Sequence, residues 1–214
     1  MNNLPYIFII GFNKTATRSL NHFFESNGFP GVHWDHGLLA RAMQKNLIEE
    51  KKIFAGYDHH YKVYSDMTFV NYSIFIEANE HFRIMDRDYP GSYFIYNNRD
   101  TEKWLTSRMN HNIGDKHSLV ARSQSIYNTK HEANLKEIWR TRKQRFEQDI
   151  RGYFSGCERF LEIDVEKDEV CLSISNLLGM KLDCSHWKTL GKTKKNDLYC
   201  ASATNSKPMQ ATMI

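Results

Sequence analysis

A chain of 214 residues, 41% of them hydrophobic, suffices for one ordinary domain and is marginal for two. Its 29 Lys and Arg against 25 Asp and Glu leave +4 with neutral histidines, an excess that suits a small anionic ligand and falls short of the dense basic face of a nucleic-acid binder. No apolar run approaches bilayer length and the N-terminus lacks the basic flank and apolar stretch of a secretory signal, so the sequence reads as a soluble cytoplasmic protein with no transmembrane segment. Cys157, Cys171, Cys184 and Cys200 lie far apart with no C-x-x-C pair, so they are expected to be structural thiols, with neither a zinc site nor a disulfide framework.

Leu4 to Ile10 is a continuous apolar run bounded by Gly11, the pattern of a central parallel strand covered on both faces. Thr17 to Asn27 follows with Leu20, Phe23 and Phe24 at helical spacing, and Gly28 stands where a helix stops. Further helices are predicted at about 37–51, 79–88, 101–111 and 131–152, the last with a stripe of Leu135, Ile138, Trp139, Arg142, Phe146 and Ile150. Strands are predicted at 32–34, 62–65, 92–96 and 159–163. Strands alternating with helices predict an α/β fold of three layers, a central, mostly parallel sheet flanked by helices. One domain over residues 1–195 and a polar tail over 196–214 complete the expectation.

The most informative stretch is Gly11-Phe12-Asn13-Lys14-Thr15-Ala16-Thr17-Arg18-Ser19-Leu20, between the first strand and the first helix. Such a turn points free backbone N–H groups at one spot where the helix dipole favours an anion. Lys14 and Arg18 add cationic donors, and Thr15, Thr17 and Ser19 add hydroxyls, so the loop reads as a phosphate or sulfate cradle. It is not the nucleoside-triphosphate loop, since the lysine comes three residues after Gly11 and no second glycine precedes it.

This early-lysine loop resembles the 5′-phosphosulfate loop of sulfotransferases that use 3′-phosphoadenosine-5′-phosphosulfate (PAPS), commonly K-T-G-T-x-S-L after a strand. Ala16 stands where that pattern has glycine, a mild departure if the backbone there keeps a negative φ. The resemblance implies a P-loop-like fold, a donor site formed by Lys14, Thr15, Ala16, Thr17, Arg18 and Ser19, PAPS as donor, adenosine 3′,5′-bisphosphate as product, and no required metal. The family also carries an arginine at the end of a strand and a serine eight positions later, both on the 3′-phosphate. Arg99, after the apolar 92–96 run, and Ser107 match that spacing. A basic C-terminal segment with Lys192, Lys194 and Lys195 fits only loosely over the nucleotide, and a solvated charge run is the plainer reading of it.

In-line sulfuryl transfer rests on positioning and electrostatic stabilisation, here with Lys14 at the departing phosphate, and on a base for the acceptor proton. Members of the family use different base types. The favoured candidates are His33, Asp35 and His36, with Asp66 next. Asp35 lies 21 residues beyond Lys14, and Asp66 ends the 62–65 strand, where cytosolic members carry a catalytic histidine. The acceptor is a small molecule, a carbohydrate or a lipid, met by loops at about 34–51, 59–61 and 110–127. A nucleotide or small-molecule kinase with a degenerate loop, separated by its need for Mg²⁺, and a non-catalytic nucleotide-binding module are the competing readings.

Overall fold

The computed structural model describes residues 4–112 and 114–191. Lys192, Lys194, Lys195 and the tail from 196 lie outside the described residues.

Strand β1 (Ile7–Ile9) is central because its side chains are apolar on both faces. Ile7 and Ile9 point to one side, into a core with Val63, Ile95 and Ile163. Phe8 and Ile10 point to the other, with Tyr64, Phe94 and Tyr96. Helices α1 (Thr17–Ser26) and α7 (Val170–Leu178) supply the first core through Leu20, Phe23, Phe24 and Ile174. The second is closed by α2 (Leu38–Ile48), α3 (Phe82–Asp88), α4 (Thr101–Met109), α5 (Leu119–Ile126) and the long α6 (Glu132–Tyr153). Phe8 is fully buried and its ring lies 5.0 to 5.9 Å from those of Phe54, Tyr64, Tyr89 and Phe94. Burial of that one side chain is worth roughly 1.5–3 kcal/mol.

The sheet has five parallel strands in the order β2 (Gly31–His33), β3 (Val63–Ser65), β1, β6 (Tyr93–Asn98), β7 (Phe160–Asp164). The chain leaves β1 toward β2 and β3 on one side, and later continues through β6 and β7 on the other. The reversal falls at β1, and it opens a crevice at the carboxyl ends of β1, β3 and β6 where α/β folds bind ligands. The α/β class, the parallel sheet and the helices on both faces are as the sequence predicts.

Several elements differ from expectation. A two-stranded antiparallel hairpin, β4 (Thr68–Val70) with β5 (Phe75–Glu77), stands outside the main sheet. Its three-residue, half-buried strands are too short to show a period. The helix predicted over 79–88 begins as a 3₁₀ turn at Ala78–His81 and turns α-helical only at Phe82. Within 110–127, read as loop, lies α5, capped by the Ser118 hydroxyl accepting from the Ala121 N–H at 3.1 Å. The strand predicted at 92–96 runs on through Asn97 and Asn98. Finally, Cys171 and Cys184 are joined in a disulfide with Cα atoms 5.5 Å apart, correcting the expectation of thiols. The chain turns back after α7 and brings the two together, which their spacing did not announce.

A buried ion pair ties the hairpin to the helices. Arg108 on α4 lies between Trp104 and Trp139, its guanidinium carbon 4.8 and 4.6 Å from their rings. It donates to Glu77 at 2.6 Å with both side chains fully buried, and Arg142 of α6 reaches the other Glu77 oxygen at 3.1 Å. Removing the carboxylate strands a buried cation, so Glu77→Ala is expected to cost about 3–5 kcal/mol in chemical denaturation. A cost below 1 kcal/mol would show that the hairpin does not depend on this pair.

Candidate active site

The loop after β1 is shaped by polar groups set beneath it. Asn97 in β6 is fully buried; its carbonyl accepts from the Gly11 N–H at 2.9 Å, and its amide donates to the Thr15 carbonyl at 2.6 Å and hydroxyl at 2.8 Å. A methyl group on Gly11 would come within 2.2 Å of the Asn97 carbonyl oxygen, which is why the chain needs glycine there. The Trp104 indole donates to the Asn13 carbonyl at 3.0 Å. Thr15 donates to the Phe12 carbonyl at 2.5 Å and is buried, so its hydroxyl is turned into the protein. The backbone N–H groups of Lys14 to Ser19 have no protein acceptor among the described residues. They open toward the N-terminus of α1, which has no acidic residue in its first turn and whose dipole adds positive potential.

Lys14 and Ala16 both have left-handed backbones, at φ 70° and 63°. The condition set for alanine at position 16, a negative φ, is therefore not met. Its methyl group sits in a conformation that glycine adopts freely and alanine does not. Burial pushes the Lys14 ammonium below its ordinary value; Asp66 opposes the shift, and Arg18 and Arg99 add to it.

At the end of β6, Asn98 accepts from the Arg99 N–H at 2.7 Å and from Lys143 at 3.0 Å, fixing the turn into α4. Arg99 reaches across to the Lys14 carbonyl at 3.4 Å. Its guanidinium is held mainly by Glu166, with Nε and Nη2 at 2.9 and 2.8 Å, while Lys103 takes the other carboxylate oxygen at 2.7 Å. Ser107, two turns along α4, opens on the same space.

At the end of β3 the chain turns sharply through Asp66, at φ 51°. His33 closes β2 alongside: its Nε2 lies 3.8 Å from an Asp66 oxygen, and its Nδ1 is 3.0 Å from the Ser65 hydroxyl. Burial lowers the His33 pKa, against Asp66 and with Arg18. Burial likewise raises that of Asp66, against His33 and its hydrogen bond with Thr68. Four successive residues after β2, Trp34, Asp35, His36 and Gly37, have φ between 46° and 81°. This turn presents Trp34 and His36 to the crevice, with rings 5.4 Å apart, and sends Asp35 away, where it accepts from the Tyr57 hydroxyl at 2.6 Å. The cluster favoured from sequence is thus split. His33, His36 and Asp66 face the crevice and Asp35 does not.

These groups enclose one cavity of 1430 Å³, also lined by His111, Arg122 and Trp187. That exceeds the 300–1,000 Å³ or so of a typical small-molecule pocket and leaves room for two substrates. Sequence reasoning missed His111, a lone histidine in no pattern, whose pKa is pushed down to about 4 by burial first and then by Lys14, Arg122, Arg108 and Arg18. Residues 6–168, most of the chain, match the family described as the sulfotransferase domain. The chain belongs to that family. No curated protein matches it.

The sulfotransferase domain is closed on its α1 side by residues 184–191, a segment after the matched region. The Leu190 N–H donates to the Ser19 hydroxyl at 2.8 Å, and Trp187 packs edge-on against Phe23 at 5.9 Å. The Cys171–Cys184 disulfide anchors this strap to α7. Among the described residues no cluster of three or more His, Cys, Asp or Glu could hold a metal ion, and no helix is long and apolar enough to cross a membrane.

The left-handed backbone at Ala16 costs an L-residue about 1–2 kcal/mol, offset by the roughly 0.5–1 kcal/mol of unfolded-chain freedom that glycine brings. Ala16→Gly is therefore expected to raise stability by up to ~1 kcal/mol in chemical denaturation with the fold intact. Clear destabilisation would mean that the methyl group contributes packing that outweighs its strain.

Proposed function

We propose that the protein transfers a sulfuryl group from PAPS to a hydroxyl, or an amine, of a small-molecule, carbohydrate or lipid acceptor by in-line displacement. The observation that carries this reading is one cavity with Lys14 and unpartnered loop N–H groups on one wall and the His33–Asp66 pair on another. The donor would supply a monoanionic sulfuryl group on a phosphate leaving group, which calls for no divalent metal to neutralise it. The residues present fit such a ligand: loop N–H groups, Lys14 and Arg18 suit the phosphosulfate, and Arg99 with Ser107 suits the 3′-phosphate.

In this reading Lys14 and the loop stabilise charge on the phosphate oxygen as its bond to sulfur breaks. The acceptor oxygen bonds to sulfur in the same displacement, and its proton passes to the His33–Asp66 pair. Asp66 is the preferred base, because burial raises its pKa and makes it a stronger proton acceptor than an ordinary carboxylate. His33, its pKa lowered by burial, stands beside Asp66 with Nε2 at 3.8 Å as a second proton acceptor. In the proposed cytoplasmic setting, reducing conditions act on the Cys171–Cys184 bond, and opening it would free the strap that leans on Ser19.

Calorimetric titration with adenosine 3′,5′-bisphosphate, without Mg²⁺ and against ATP, tests the donor. Micromolar or tighter binding selective over ATP is expected. Arg99→Ala should weaken it by about tenfold to a hundredfold, the worth of a charge-assisted contact. Glu166→Gln should tighten it, since the carboxylate that competes for Arg99 and Lys103 is gone. A Mg²⁺-dependent preference for ATP would put the kinase reading in its place, and tight binding without any transfer would leave a binding module.

The base has its own test. A deprotonated base is required, so kcat/KM falls as pH drops. Burial raises the Asp66 pKa, so the acid limb should lie above that of an ordinary carboxylate. Asp66→Asn should lower kcat roughly 10²–10⁴-fold while bisphosphate affinity holds. An unchanged rate would move the role to His36 or His111.

A further inference from the structure

The charges of the cavity divide unevenly among the tasks assigned above. Arg99 and Lys103 are held by Glu166, Glu102 is held by Arg140, and Lys14 faces Asp66. Arg18 stands at the N-terminus of α1 beside the phosphosulfate loop, its side chain 3.8 Å from where a Cβ on Gly191 would lie. Among the described residues one cation remains that the donor does not need. Arg122, on α5, is partly buried in the cavity wall and has no carboxylate within 4 Å among the described residues. Its Nε and Nη2 donate to the His117 carbonyl, the first at 2.7 Å, and its Nη1 donates to the Val70 carbonyl at 2.8 Å. These bonds fix the guanidinium in place without cancelling its charge. One proton on each terminal nitrogen is still free to donate.

The wall that holds Arg122 continues to the strained turn after β2. Val70 and Phe69 are neighbours on β4, and the Phe69 ring packs so closely on Gly37 that a methyl group there would lie 2.7 Å from it. The same turn carries Trp34, which is 42% exposed and lines the cavity. A large exposed aromatic on a fixed left-handed backbone is a platform for a flat ring.

We infer that Arg122 and Trp34 select the acceptor: a hydroxylated ring lies against Trp34, and an anionic substituent of that ring, such as a carboxylate, is bound by Arg122. This rests on the sulfotransferase reading, because it assigns the part of the same cavity that the donor leaves free. Arg122 would thus serve as the specificity residue, and its fixed, preorganised fork suits a carboxylate.

The test uses two matched pairs of rings, 4-hydroxyphenylacetate with its amide and glucuronate with glucose, titrated by calorimetry into the protein saturated with adenosine 3′,5′-bisphosphate and into the protein alone. In at least one pair the carboxylate should bind tenfold or more tighter than its neutral partner, and which pair responds tells an aromatic from a sugar ring. Arg122→Gln should bring that ratio to about one. Arg122→Lys should keep part of it, and Trp34→Ala should weaken both members alike. Equal binding within each pair, no binding of any of the four, or a preference that survives Arg122→Gln would overturn the inference. Bisphosphate affinity equal to wild type in both Arg122 variants shows that the loss is not misfolding. If wild type binds no bisphosphate, the donor reading is what fails, and the titrations without nucleotide still decide the role of Arg122.

Discussion

The site depends on one buried amide. Asn97 bonds both ends of the loop turn from beneath, through the Gly11 N–H and the Thr15 carbonyl and hydroxyl. A primary amide can serve donor and acceptor at once, and with its side chain fully buried an unmade bond would cost roughly 1–3 kcal/mol. The loop therefore has little freedom to choose another path. With the interior carbonyls already matched, the N–H groups of Lys14 to Ser19 are left without a protein acceptor among the described residues, in a loop that lines the cavity. The same strand that holds Asn97 ends at Asn98, and Arg99 follows directly. The register of β6 beside β1 thus sets the distance between the loop and Arg99 in the cavity.

Charge in this cavity is managed by pairing rather than by excess. The chain is only mildly basic, yet Lys14, Arg18, Arg99, Lys103 and Arg122 all converge on one space. Glu166 holds two of these cations through one carboxylate, so an anion bound there would have to displace one already present. That lowers the desolvation cost of keeping cations together in one cavity. Around Lys14 the balance is different. Burial and neighbouring cations depress its pKa while Asp66 opposes them, so the carboxylate helps keep the lysine charged.

The fold was legible where the sequence carries period and punctuation. An apolar run on β1, a glycine, hydroxyls and a helical stripe announce a strand, loop and helix with almost no ambiguity, and Arg99 with Ser107 was singled out by the family resemblance. What escaped was built from contacts between distant segments. Nothing local marks Asp35 as turned toward Tyr57, or His33 and Asp66 as neighbours, because their pairing comes from β2 and β3 lying side by side in register. Asn97 and Asn98 looked like the end of a strand because asparagine is poor strand material. They remain in the strand because their side chains are consumed by the loop and the turn. Cys171 and Cys184 were likewise joined by a fold-back after α7 that their spacing does not encode.

Backbone strain gathers at the same place. Lys14 and Ala16 in the loop, Trp34 to His36 after β2, and Asp66 after β3 all hold left-handed φ without being glycine, and each adjoins a carboxyl end of the parallel sheet. Such residues cost of order 1–3 kcal/mol apiece and persist only where surrounding structure over-determines them. Here the determinants can be named: Asn97 and Trp104 under the loop, the bond from Tyr57 to Asp35, and the register of β2 against β3. A relaxed backbone at these points would point Lys14, Trp34 and Asp66 elsewhere, and the cavity would lose its cation, its aromatic wall and its carboxylate together. The stability of the two apolar cores is what sustains that arrangement.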